Sequence, residues 1–126
     1  MPPRSAPSTP PADLPLAAAR AAVDAGSDRQ ATDVVLLDVR GAVSFADYVV
    51  VMSAGSTRQS GALADAVEDA VEATGLRRLR REGTNDSGWV LLDFADVVVH
   101  ILSEEQRAHY RLEQVWKQAK PLLRVQ

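Results

Sequence analysis

The sequence predicts an α/β domain, a single mixed β-sheet packed with helices. Three observations predict it. Segments of helical period alternate with short β-branched runs in the order α-β-β-α-β-β-β-α. One run, Tyr48 to Met52, is apolar on both parities, as a strand covered on both faces must be. Two later runs, Trp89 to Phe94 and Val97 to Leu102, are separated only by Ala95 and Asp96, the spacing of a tight antiparallel hairpin.

Each element has a local reason. Residues 1–12 are a tail of Pro, Ser, Thr and Ala, too polar to offset chain entropy, and are expected to be disordered. The domain is expected over residues 13–120, with residues 121–126 as a C-terminal tail. Asp13 is a good N-cap, Pro15 suits a first helical turn, and Leu16, Ala19 and Val23 recur at helical spacing until Gly26. Val34 to Val39 reads as a strand, followed by an irregular connection into the Tyr48 strand. Ser56 caps a helix that runs to Thr74 and stops at Gly75. Leu63, Ala66, Val67, Ala70 and Val71 form its apolar stripe, with Asp65, Glu68, Asp69 and Glu72 opposite as a solvated face.

Leu76 to Glu82 reads as a strand carrying Arg77, Arg78, Arg80 and Arg81. Four arginines there fit an edge strand guarded against aggregation, with phosphate contact as the alternative. Ser103 caps a final helix from Glu104 to about Lys120, with Pro121 after it. Ala108, Leu112, Val115, Trp116 and Ala119 form its stripe, and Tyr110 lies off it.

Composition excludes several function classes. The 126 residues are 46 % apolar and 25 % charged, as in ordinary single-domain proteins. Cysteine is absent, which excludes disulfides, thiolate metal sites and cysteine nucleophiles. The net charge of −3 lacks the basic footprint of a protein that wraps nucleic acid, so near RNA a basic protein is the expected contact. No apolar run reaches the length of a membrane span, about 18 residues. The N-terminal segment has no apolar stretch of signal-peptide type, so a cytoplasmic location is expected.

Pleating sorts the hairpin into two faces. With Ala95 and Asp96 as the loop, Phe94 pairs with Val97, Leu92 with Val99 and Val90 with Ile101, a wholly apolar face for the core. The other face carries Trp89, Leu91 and Asp93 against Val98, His100 and Leu102. It is too polar for a core and too apolar for open water. A partner interface with an aromatic anchor fits both observations; the alternative is that the C-terminal helix covers it.

Three enzymatic readings tempt and fail. Gly55-Ser56 follows a strand and opens a helix, as at the phosphate-binding turn of nucleotidyltransferases. Such sites need paired acids on the next strand for Mg²⁺, and here that strand carries arginines. A Ser-His-Asp triad fails because Asp96 and His100 lie about 13 Å apart along one strand. Metal binding fails because His100 and His109 sit on different elements without carboxylates at ligand spacing. No catalytic residue, cofactor site or metal site is therefore expected.

Four segments together closely resemble the ribosomal silencing factor, or Iojap, family. They are Ala46-Asp47-Tyr48, Ser53 to Gln59, Trp89 to His100, and Tyr110-Arg111-Leu112-Glu113-Gln114-Val115-Trp116. The resemblance spans residues 14–117. It implies a nucleotidyltransferase-like fold without catalytic residues. It also implies binding to protein number fourteen of the large ribosomal subunit, on the face that meets the small subunit. It implies that occupying that face blocks subunit joining and silences translation when nutrients are short. A role in large-subunit biogenesis and self-association as a homodimer are implied too, with ribosomal RNA contact only secondary. The alternative is a residual nucleotide-binding enzyme.

The expected partner-binding residues are Trp89, Leu91, Asp93, Asp96, Val98, His100 and Tyr110. Asp93 and Asp96 would form an acidic rim suited to a basic ribosomal protein. Two departures stand out. Ala95 replaces a glycine common in the family, at a cost in a type II′ turn. Leu102-Ser103-Glu104-Glu105-Gln106 lacks the aromatic or histidine and the proline often found before the last helix.

Overall fold

The computed structural model describes residues 13–110 and 119–125, with the backbone alone at Tyr110. The expected N-terminal tail and most of the second half of the expected last helix lie outside the described residues. In chain order the elements are α1 (Leu14–Asp28), β1 (Thr32–Asp38), β2 (Tyr48–Ala54), α2 (Thr57–Thr74), β3 (Arg80–Glu82), a short 3₁₀ turn (Asn85–Ser87), β4 (Trp89–Asp93), β5 (Val97–Ser103), α3 (Glu104–Tyr110) and β6 (Lys120–Val125).

The strands form one six-stranded sheet in the order β3-β4-β5-β2-β1-β6. It is mixed: β2 and β5 run parallel, and the other neighbours antiparallel. β2 lies centrally and all seven of its residues are buried, which accounts for its unbroken apolar sequence.

Two cores sandwich the sheet. α1 contributes Ala18, Ala19, Ala22 and Val23, and α2 contributes Leu63, Ala64, Val67 and Val71, to a main core with Leu36, Val50, Val90, Leu92, Val99 and Ile101. The opposite face holds Val35, Leu37, Val39, Val49, Val51, Val98 and Leu102, with Trp89, Leu91, Val43 and Ala119 packed at its margin. On α2, Ala66 and Ala70 are only half-buried, while Ser60 and Ala64 lie on the buried face.

The N-terminal cap of α1 is as expected: the Asp13 carboxylate accepts from Leu16 N at 3.1 Å. The helix nevertheless continues past Gly26 to Asp28. Gly26 is a packing glycine, since a Cβ there would lie 2.8 Å from Met52 Sδ and Cε. The helix is closed instead by Ala31 N donating to Gly26 O and Gln30 N donating to Ser27 O, with Gln30 at φ 65°. α2 ends as predicted, with Gly75 in the left-handed region at φ 119°.

Two boundaries differ from the sequence reading. β3 is only three residues long, although it does lie at the sheet edge. Lys120–Val125, mostly within the segment expected as a C-terminal tail, pairs with β1 as the other edge strand. Pro121 is tolerated there because an edge strand leaves one side of its backbone unpaired. The last helix accordingly does not extend to Lys120. Its start agrees with the sequence, as Ser103 Oγ accepts from Gln106 N at 3.1 Å.

Candidate functional site

The hairpin register is the one derived from pleating: Trp89 pairs with Leu102, Val90 with Ile101, Leu91 with His100, Leu92 with Val99 and Asp93 with Val98. Val90, Leu92, Val99 and Ile101 turn into the main core, and Trp89, Leu91, Val98, His100 and Leu102 share the other face.

That face divides into two ends. At one end the Trp89 indole Nε1–H donates to His100 Nδ1 at 3.0 Å, across the diagonal of the ladder. The rings also touch, with centroids 5.8 Å apart and planes tilted by 53°. Indole is a donor only, so His100 Nδ1 is the acceptor and its proton sits on Nε2. Burial supports this neutral form and pushes the His100 pKa down to about 4. Trp89, Leu91 and His100 are each half-buried, so each retains some accessible surface.

At the other end lies the hairpin tip. Asp93 begins the turn, about 13 Å along the strand from Trp89. Its Oδ1 accepts from Ala95 N at 2.8 Å and its Oδ2 pairs with Arg80 Nε at 3.2 Å. Asp93 therefore holds its own turn and the edge strand together. Ala95 adopts φ 69°, and Asp96 N donates to Phe94 O at 2.9 Å, which makes a γ-turn centred on an alanine. The Asp96 carbonyl accepts from Asp47 N at 2.8 Å and Tyr48 N at 3.1 Å, while residue Asp96 is exposed.

Among the expected site residues, Trp89, Leu91 and His100 are brought together. Asp93 and Asp96 form a separate corner. Val98 is only 7 % exposed and belongs to the second core, so it supports the face and offers little contact surface. Tyr110 is the final residue of α3, and its side chain lies outside the described residues. The sequence reading did not single out two exposed apolar residues, Phe45 and Leu79. Phe45 lies in the β1–β2 connection near the tip, and Leu79 N donates to Asp93 O at 2.7 Å. No periodicity marks either residue, because neither lies within a strand or helix.

The Gly55-Ser56 turn is occupied structurally. Ser56 Oγ accepts from Gln59 N at 3.1 Å, and Gln59 Oε1 accepts from Gly55 N at 2.6 Å. Gln59 Nε2 then donates to Arg29 O at 3.1 Å and Gln30 O at 2.9 Å. The Ser-Thr-Arg-Gln run is thus a capping arrangement that also ties α2 to the α1–β1 loop. The cleft beyond it, of about 550 Å³, is lined by Asp86, Glu104 and Glu105 and, among the described residues, by no lysine or arginine. Phosphate would meet like charge there. Among the described residues, no three His, Asp or Glu side chains cluster as a metal site requires.

The arginine-rich segment is largely neutralised by the acidic stripe of α2. Arg78 pairs with Glu68 at 2.9 Å and Arg81 with Asp65 at 3.3 Å. Arg80 pairs with Glu82 at 2.9 Å as well as with Asp93. The acidic stripe, expected to be merely solvated, thus helps to hold β3 beside α2. Among the described residues, no helix is long and apolar enough to cross a membrane.

Comparison with known proteins gives this geometry a family. Residues 12–126 match the model described as "Ribosomal silencing factor during starvation". A ribosomal silencing factor of Bacillus subtilis is 36 % identical over 98 residues, 78 % of this chain and 83 % of that protein. The chloroplastic protein Iojap of Zea mays is also 36 % identical over 98 residues, 78 % of this chain and 42 % of that protein. A crystal structure of a Chromobacterium violaceum protein superimposes with a TM-score of 0.77 at 30 % identity, covering 81 % of this chain and 85 % of that one. The fold is that of a family of regulators associated with ribosomes. The chain belongs to the ribosomal silencing factor family.

Proposed function

We propose that this protein silences translation by occlusion, without chemistry. It docks on the free large ribosomal subunit through that subunit's protein number fourteen and stands where the small subunit must arrive. Its nucleotidyltransferase-like frame serves only as a scaffold. A part in large-subunit biogenesis and a homodimeric resting form belong to the same reading.

The observation that carries the proposal is the match to ribosomal silencing factors along residues 12–126. The half-buried Trp89 supplies the aromatic anchor such docking needs, and exposed Asp96 offers charge to a basic partner. The rival enzymatic reading is disfavoured by the capping role of Ser56 and the acidic lining of its cleft. An RNA-binding reading is disfavoured by the pairing of Arg78, Arg80 and Arg81.

The test is sedimentation of the purified protein with large subunits, small subunits and joined ribosomes. Co-sedimentation with large subunits alone, with Trp89→Ala reducing it at least thirtyfold (about 2 kcal/mol), is the expected result. Wild-type affinity in that variant would remove the assigned face, and failure to bind large subunits would remove the proposal.

A further inference from the structure

We propose that His100 is a positioning residue for Trp89: it acts on the ribosome through the indole it holds and not by touching the partner. The inference rests on the reading that Trp89 anchors the large subunit.

The geometry points this way at each step. Leu91, not Trp89, stands directly opposite His100 in the ladder, so the Trp89 ring reaches His100 across the diagonal. An indole on an edge-proximal strand has two side-chain torsions to fix. The 3.0 Å hydrogen bond and the tilted ring contact at 5.8 Å constrain both. His100 sits on β5, between β4 and β2, whereas Trp89 begins β4 at the end of a 3₁₀ turn. The histidine therefore lies on the more rigid strand and can orient the tryptophan. The imidazole's Nδ1 lone pair faces the indole, and burial keeps that lone pair unprotonated in neutral solution. A fixed aromatic anchor loses less conformational entropy on docking than a mobile one.

Amide substitutions make the idea testable, because each amide copies one side of the ring. His100→Asn places an acceptor near the former Nδ1, His100→Gln places its polar atoms near Nε2, and His100→Leu supplies neither. Two readouts are needed: affinity for isolated large subunits, and the Trp89 indole ¹⁵N–¹H resonance of the free protein, assigned with Trp89→Phe. Positioning predicts that His100→Asn keeps the resonance and binds within about twofold of wild type. His100→Gln and His100→Leu shift the resonance and bind about tenfold more weakly, of the order of one lost buried hydrogen bond. In a Trp89→Ala background, His100→Leu adds no further loss, since the two residues act as one unit.

Rescue by Gln and not Asn would overturn the inference, as would losses that multiply in the double variant, because either outcome puts the role of His100 outside its bond to Trp89. An indole resonance unmoved in His100→Leu would overturn it without any ribosome present. If Trp89→Ala binds normally while the resonance behaves as expected, the docking face is wrong and the anchoring role of the pair falls with it, although the hydrogen bond stands.

Discussion

Ala95 shows what one residue can cost. Its φ of 69° is a conformation that glycine adopts freely and alanine does not. The turn persists because its surroundings over-determine it: Asp93 Oδ1 accepts from Ala95 N, and Phe94 N donates to Val97 O at 2.9 Å. Ala95→Gly is therefore expected to stabilise the domain by about 1 kcal/mol, raising the urea midpoint by roughly 0.5 M. A lower midpoint would mean that the strain resides elsewhere. His100 makes a second prediction at this scale. Its pKa is depressed from 6.5 to about 4 in the folded protein, so the unfolded chain binds a proton that the folded chain refuses. Its contribution is fully present above pH 6.5 and declines as pH falls through that value towards 4. The decline amounts to a few kcal/mol at most, of order 3. Stability measured in urea across this window should fall more steeply for wild type than for His100→Leu. Parallel curves would show that the imidazole titrates normally.

At the scale of elements, legibility followed burial on a regular period. α2 and the β4–β5 register could be read because the Leu63–Val67–Val71 spacing and the paired hairpin faces each repeat a geometric period, and β2 because Tyr48 to Met52 is an unbroken, largely β-branched apolar run. The continuation of α1 past Gly26 could not be read, because the contact that demands a glycine comes from Met52, 26 residues away in sequence. β6 could not be read either: Leu122, Leu123 and Val125 are too few to show alternation, and Pro121 spoke against a strand. Of the site, the Trp89 face was legible from parity. The Trp89–His100 bond across it was not, since the ladder places Leu91 opposite His100. Arg107 was also missed, although it is only 8 % exposed. It joins α3 to the sheet by donating to the Asp33 carbonyl and to Ser53 Oγ at 3.0 Å, beside the Asp33 carboxylate. Asp33 also pairs with Arg124 of β6 at 2.7 Å, so the same carboxylate serves α3 and the edge strand. Arg107→Ala is expected to cost about 3 kcal/mol, because it removes a buried, hydrogen-bonded charge. Thermal unfolding measures this, and a loss below 1 kcal/mol would show that α3 is held by other contacts.

At the scale of the whole molecule, the cleft and the hairpin face make opposite demands on how the protein works. A catalyst would use the cleft at the ends of the parallel strands β2 and β5, where Ser56 and Ser103 cap the two following helices. A steric silencer would leave the cleft idle and use the sheet face that carries Trp89, which follows the cleft-lining Ser87 and Gly88 in the chain. Ser56→Ala should therefore lose about 1 kcal/mol of stability as a helix cap yet inhibit subunit joining as well as wild type does. Trp89→Ala should retain the fold and lose inhibition. Order of addition separates occlusion from every turnover mechanism. Protein added to large subunits before the small subunits should reduce joining in proportion to the protein bound, saturating at one equivalent. Protein added after joining should act only as fast as ribosomes dissociate on their own, because its surface is already covered. Inhibition at strongly sub-stoichiometric protein, or rapid splitting of joined ribosomes, would require an active step, and the acidic cleft would then have to be reconsidered as its seat.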